Sequence, residues 1–254
     1  MFPLRDENPT ELVPFVTLLF IATNVLAWFV VQGAGAGQEF VSSVCVYGTI
    51  PGDLTGRIPP GGTVPFGPEH VCPTGGLTWA TVLTSVFMHG SWGHLLGNMW
   101  FLWVFGNNIE DSMGHVRFVV FYLLCGALAT AVHVASDPGS AVPTVGASGA
   151  ISGVLGAYLV LYPSVRVHTM IFLGIFLRVV PVAAWVWLLL WFGLQILLGS
   201  MSSGEGGGVA FWAHAGGFVA GVVLIKLFAK PLLTDAKRQG RVLSRGELGR
   251  FGPW

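Results

Sequence analysis

The chain has 254 residues, of which 53% are hydrophobic and 9% charged, and its twelve basic and twelve acidic residues give a formal net charge of zero. Soluble domains carry about 25% charged residues, so this composition excludes an ordinary soluble protein and marks an integral membrane protein. The neutral balance offers no basic surface for nucleic acid, and three cysteines make neither a disulfide framework nor a metal site by spacing.

Residues 1–11 form a polar leader with Arg5, Asp6, Glu7 and Glu11, and Leu12 to Val31 supplies about 20 mostly apolar residues, enough to cross a bilayer. A leader as acidic as it is basic, ahead of so long an apolar run, predicts a first transmembrane helix rather than a cleaved signal peptide. Residues 32–77 make a long Gly- and Pro-rich outer loop carrying Cys45 and Cys72, of a length that is usually functional or disordered. The two cysteines can pair if the loop faces an oxidising compartment, which would restrain it; two separate thiols are the alternative. A second span is predicted from Ser91 to Ile109, after an apolar approach from Leu77 to Met88, and a third from Val116 to Ala135. Asp137, Pro138, Gly139 and Pro143 mark a turn. The fourth segment, Val145 to Leu161, is short for a lipid-exposed span and is best placed in mid-bundle with neighbours on all sides. The fifth runs from Val179 to Leu198 and the sixth from Val209 to Phe228, joined by a Gly/Ser linker, Ser200 to Gly208, that has no stiffness of its own. Residues 229–254 form a basic tail.

Six spans put both termini on one side. Eleven of the twelve Lys and Arg residues fall on that side and only Arg57 on the other, so the positive-inside rule makes the termini cytoplasmic. The long loop, the turn at 137–144 and the Gly/Ser linker then face outward. The expected fold is an all-α, multi-pass membrane protein with six transmembrane helices and a short central fourth helix, in the cell membrane.

Helices two, four and six all enter the membrane from the outer side, so the depths of their polar side chains can be compared at roughly 1.5 Å per residue. Ser148, His214, His94 and Asn98 all fall within roughly 5 to 10 Å of the outer edge. His94 and Asn98, four apart, share a helical face, and His89 precedes that helix. Polar groups at such depth are costly and face a bundle interior or a water-filled cavity; the bland reading of each is a satisfied interhelical hydrogen bond. A metal held by His89, His94 and His214 is disfavoured, because no acidic residue shares that depth and the spacing of five between His89 and His94 suits one helical face poorly.

The catalytic reading makes Ser148 a nucleophile and His214, on the facing helix, its base. No Asp or Glu lies within reach on helices four or six, so a Ser-His dyad is expected rather than a triad. The Ser148 backbone N–H at a helix N-terminus, the Asn98 amide and the His94 ring are the candidate oxyanion donors. Gly146, Gly149, Gly153 and Gly156 recur at steps of three, four and three, a bare helical stripe where another backbone can approach. The Gly/Ser linker is placed to act as a movable cap.

Together these motifs resemble the rhomboid family of intramembrane serine proteases over about residues 12–228. Gly146-Ala-Ser148-Gly149 resembles the nucleophile motif, and Ala213-His214-Ala-Gly-Gly217-Phe-Val-Ala-Gly221 the sixth-helix motif. The resemblance thus gives Ser148 and His214 the nucleophile and base roles, and uses Gly217 and Gly221 to bring helix six against helix four. His89-Gly-Ser-Trp-Gly-His94-Leu-Leu-Gly-Asn98 is similar to the second-helix motif, which implies that His94 and Asn98 stabilise the oxyanion and His89 supports the site. Gly106 to Glu110 matches a Gly-x-x-x-Glu in which Glu110 is a structural post. Two departures stand out: Thr78-Trp79-Ala80-Thr81 lacks the arginine of the family's Trp-Arg, and Ser152 stands where some members have a tyrosine packed on the base.

The expected activity is cleavage of transmembrane protein substrates near the outer face, without metal or cofactor, by a six-helix domain of residues 12–228 in a lipid bilayer. An intact helix hides its carbonyls in internal hydrogen bonds, so a protease in this position needs a locally unwound segment. Trp185, Trp187, Trp191 and Phe192 of helix five form either a flank of the substrate's path or a lipid-facing belt. A catalytically inactive binder of membrane helices is the rival class. A transporter is the third reading, weakened by polar residues that stay shallow.

Overall fold

Pro14 sets the start of the first helix: its ring lacks a backbone donor, and α1 runs Phe15–Val30 behind it. The computed structural model describes residues 2–67, 69–76, 78–173, 176–201 and 209–238. Ahead of α1, within the polar leader, Phe2–Asp6 is a strand, β1.

The 32–77 loop is built, not slack. It holds α2 (Gly37–Tyr47), the one-turn α3 (Pro51–Leu54) and an antiparallel hairpin of β2 (Thr63–Phe66) and β3 (His70–Pro73). A disulfide joins Cys45 of α2 to Cys72 of β3, with Cα atoms 4.9 Å apart. Val41, Ile50 and Val64 close around it as a small core of their own. Asp53 ties the loop to the approach of the next helix: its carboxylate accepts from Gly75 N–H (2.9 Å) and the Thr78 hydroxyl (3.3 Å). The one-turn α4 (Thr81–Thr84) follows, its Thr81 carbonyl accepting from the Thr49 hydroxyl at 2.9 Å.

The second hydrophobic segment is one helical run in three parts: α5 (Trp92–Phe101), a π turn over Leu102–Gly106, and α6 (Asn107–Met113). The Ser91 hydroxyl caps it by accepting from the His94 N–H at 3.1 Å. In α7 (His115–Ser136), Val116, Val120, Leu124, Leu128 and Val132 are exposed at every fourth position, while Phe118, Phe121, Tyr122 and Cys125 are buried. A stripe of large apolar side chains facing outward is what lipid accepts. By contrast α8 (Ser148–Leu161) is buried at every residue from Gly149 to Tyr158, so neighbours surround it.

The region before the fifth helix departs from expectation. β4 (Arg166–Leu173) pairs antiparallel with β5 (Phe176–Ala183), and β1 pairs with β4 to give the order β1-β4-β5. Val167, Thr169, Ile171, Val179, Val180 and Val182 are β-branched, which favours a pleated strand, and Pro181 cannot donate within a helix. The fifth helix, α9, therefore runs Ala184–Met201 and does not begin at Val179. An all-α chain is corrected to a mostly helical one with two small sheets. α10 (Phe211–Phe228) and α11 (Pro231–Arg238) are the last elements among the described residues. The linker at 202–208 and the tail at 239–254 lie outside the described residues.

α7, α9 and α10 are long and apolar enough to cross a membrane, and α1 and α8 are shorter apolar helices; the protein is a helical membrane protein. α8 and α10 meet backbone to backbone. A Cβ on Gly217 would overlap the Gly149 carbonyl oxygen, and one on Gly221 the Gly153 carbonyl oxygen. No other residue permits that approach, which sets the first turn of α8 against Gly217, one turn beyond His214 on α10.

Candidate active site

Ser148 is the first residue of α8 and His214 lies in the first turn of α10. The glycine contact between the two helices brings them together: His214 Nε2 lies 2.7 Å from Ser148 Oγ. For Nε2 to accept the serine proton, the ring must carry its own proton on Nδ1. Nδ1 lies 2.8 Å from Gln195 Oε1, an acceptor supplied by α9. The Trp191 ring, one turn earlier on α9, stacks on His214 with centroids 5.9 Å apart and planes at 29°. Ser152 turns its hydroxyl back to the Ser148 carbonyl at 2.6 Å and makes no hydrogen bond to the His214 ring.

His94 faces the same place from α5. Gly146 has φ +133°, a conformation that side chains rarely adopt. A Cβ there would sit 2.7 Å from His94 Nε2 and 3.5 Å from Ser148 Oγ, so ring and hydroxyl flank one point. The Gly90 N–H donates to His94 Nδ1 at 3.4 Å, which leaves the ring proton on Nε2, toward that point. Asn98 Nδ2, buried one turn further along α5, has no protein partner. The Ser148 N–H belongs to the first turn of α8, whose amides have no acceptor within the helix. The His94 ring, Asn98 and the Ser148 hydroxyl thus line one cavity.

His89 plays a different part. It is fully buried, its ring packs edge-on against His94 with centroids 5.2 Å apart, and it does not line the cavity. Gln32, just past α1, clamps its backbone with a reciprocal pair of 2.8 Å hydrogen bonds. Among the described residues no three His, Cys, Asp or Glu side chains group as metal ligands.

The site opens into a cavity of about 990 Å³ lined by Ser148, His214, His94 and Asn98, with Phe40 and Phe66 of the 32–77 loop on its wall. Of the four aromatic residues of the fifth helix, only Trp191 lines it. Trp187 is buried against Phe101 and Phe105, Phe192 stacks on Phe218, and Trp185 is exposed. They form no single flank.

Glu110 stands far along the α5–α6 run and touches none of this. Its fully buried carboxylate accepts from Val16 N–H (2.8 Å), Thr17 N–H (2.8 Å) and the Thr17 hydroxyl (2.7 Å), with His115 Nδ1 at 2.5 Å. It thereby satisfies the free amides at the start of α1 and favours them through the helix dipole.

A Rhomboid domain profile matches residues 77–231, more than half of the chain. The chain belongs to the rhomboid family. It is 31% identical over 161 residues to Rhomboid-like protein 11, chloroplastic, of Arabidopsis thaliana, covering 60% of this chain and 53% of that protein. It is 30% identical over 146 residues to Rhomboid protease GluP of Bacillus subtilis, covering 58% and 24%. Rhomboid protein 1, mitochondrial, of Saccharomyces cerevisiae is 30% identical over 176 residues, covering 65% and 46%. The chain thus spans between about a quarter and a half of the length of these rhomboid relatives. The matched span holds Ser148, His214, His94, Asn98, His89 and Glu110.

Two site residues escaped the sequence reading, Gln195 and Gln32. A signal exists for Gln195: it is the only amide, hydroxyl or charged side chain between Ala184 and Gly199. Gln32 sits where a span passes into a loop, and a glutamine there is unremarkable until His89 is seen beside it.

Proposed function

We propose that this rhomboid protein is an intramembrane serine endopeptidase that cleaves transmembrane segments of other membrane proteins. In this reading residues 12–228 are the protease domain, with six spans, between the short leader 1–11 and the tail 229–254. The chain sits in the cell membrane with both termini cytoplasmic and the Ser148 end of α8 toward the outer face.

The observation that carries the reading is the 2.7 Å contact of His214 Nε2 with Ser148 Oγ at the edge of a large cavity. Ser148 Oγ attacks the scissile carbonyl as its proton passes to His214 Nε2. The oxyanion forms beside the donors assigned to it, His94 Nε2, Asn98 Nδ2 and the Ser148 N–H, a reading supported by the cavity that Ser148, His94 and Asn98 share. His214 then delivers its proton to the leaving amine, and water entering through the cavity hydrolyses the acyl-enzyme.

The test is cleavage in proteoliposomes of a single-span substrate whose helix is weakened by glycine and proline, with products identified by mass. The expected result is one cut near one membrane face, absent with Ser148→Ala. A wild-type protein that captures the substrate and leaves it intact would favour the inactive-binder reading.

A further inference from the structure

The contact between His214 and α9 goes beyond the dyad. The inward face of α9 follows Ala184, Leu188, Gln195 and Gly199, all buried, while Leu194, Leu197 and Leu198 beside Gln195 are exposed. A lone amide in an apolar span is costly toward lipid. Here it is turned inward onto a histidine nitrogen, with Oε1 2.8 Å from His214 Nδ1. One turn earlier, Trp191 lies against the face of the same ring. Stacking fixes the plane of the imidazole but leaves two tautomers and rotation within that plane. An acceptor at Nδ1 removes both freedoms: it keeps the proton on Nδ1 and aims the bare Nε2 at Ser148 Oγ.

We propose that Gln195 is the positioning residue of His214, giving a Ser148-His214-Gln195 series in which a neutral amide oxygen occupies the place that a carboxylate takes in a serine protease triad. The inference rests on the serine protease reading above. A neutral acceptor suits the setting: a carboxylate on α9 would bring a buried charge into a span with no cation near it in the sequence, whereas an amide orients the ring without that desolvation cost. The imidazolium formed during attack keeps its Nδ1–H donated to Gln195 Oε1 throughout, so the acceptor serves both states of the base.

The test compares Gln195→Leu, which keeps the bulk and loses the acceptor, with Gln195→Glu, which restores one. With the proteoliposome substrate, Gln195→Leu is expected to lower kcat by about tenfold or more and leave KM within about twofold. The rate of fluorophosphonate labelling should fall by the same factor, and Gln195→Glu should recover it. Nitrogen-15 spectra of the His214 ring, assigned with His214→Ala, should show Nδ1 protonated and Nε2 bare in wild type, and a mixture of tautomers in Gln195→Leu. A folded Gln195→Leu protein that labels at the wild-type rate with an unchanged ring spectrum overturns the proposal, as does a loss of activity in both variants that merely tracks the loss of folded protein. The ring spectrum needs no turnover. If wild-type protein neither labels nor cleaves, the protease reading fails, and the spectrum still reports whether Gln195 sets the tautomer.

Discussion

Two buried polar clusters lie along the same helical run, and they are finished differently. At Glu110 both carboxylate oxygens are occupied by backbone amides, a hydroxyl and a histidine nitrogen, all within 2.8 Å. Around Ser148 the Asn98 Nδ2 donor is buried without a partner, and His94 Nε2 is aimed at an open cavity. Burying a polar group without a partner costs about 1–3 kcal/mol, so the first cluster contributes stability and the second spends it. A protein keeps donors unpaired in its interior where something else is to fill them, and an oxyanion is a species that does so.

The largest way to break this contrast is at His214, the base in the proposed mechanism. His214→Ala should lower substrate cleavage on the order of 10^4-fold, and the thermal midpoint in detergent should fall as well, because the buried Gln195 Oε1 loses its partner and Trp191 its stacked ring. Asn98→Ala comes next, with kcat expected to fall about 10²- to 10³-fold. Its stability should hold or rise, because the substitution removes a buried donor that has no partner. Glu110→Gln should do the reverse. Replacing a carboxylate that accepts several hydrogen bonds is expected to cost about 1.5–3 kcal/mol of stability, seen as a lower thermal midpoint, while labelling per folded molecule stays at the wild-type level. The smallest effect is expected at Leu128, exposed on α7: Leu128→Ala should shift stability by no more than about 0.5 kcal/mol and leave cleavage unchanged. A variant that moved stability and activity together at Asn98 or at Glu110 would erase the distinction between the two clusters.

Much of this was legible in the sequence, for identifiable reasons. The apolar runs, the helical spacing of His94 and Asn98, and the glycine steps of α8 are local patterns that follow from helix geometry. The β4–β5 pair was hidden because its Val- and Phe-rich strands are as apolar as a span, and composition does not separate a short apolar strand from the start of a helix. β1 was hidden because its partner lies more than 160 residues away, Phe2 opposite Met170. The order within the 32–77 loop comes from a disulfide and a few buried side chains that no periodicity announces. Gln195 was overlooked because a single glutamine in an apolar helix acquires meaning only from what it faces, here a ring on the next helix.

The most direct single measurement is fluorophosphonate labelling of the purified protein in detergent, with the modified residue located by peptide mass. An activated dyad predicts one adduct, on Ser148, formed in wild type and absent in both Ser148→Ala and His214→Ala. Folded wild-type protein that stays unlabelled while a serine hydrolase reacts in the same detergent would contradict it, as would an adduct on any other serine.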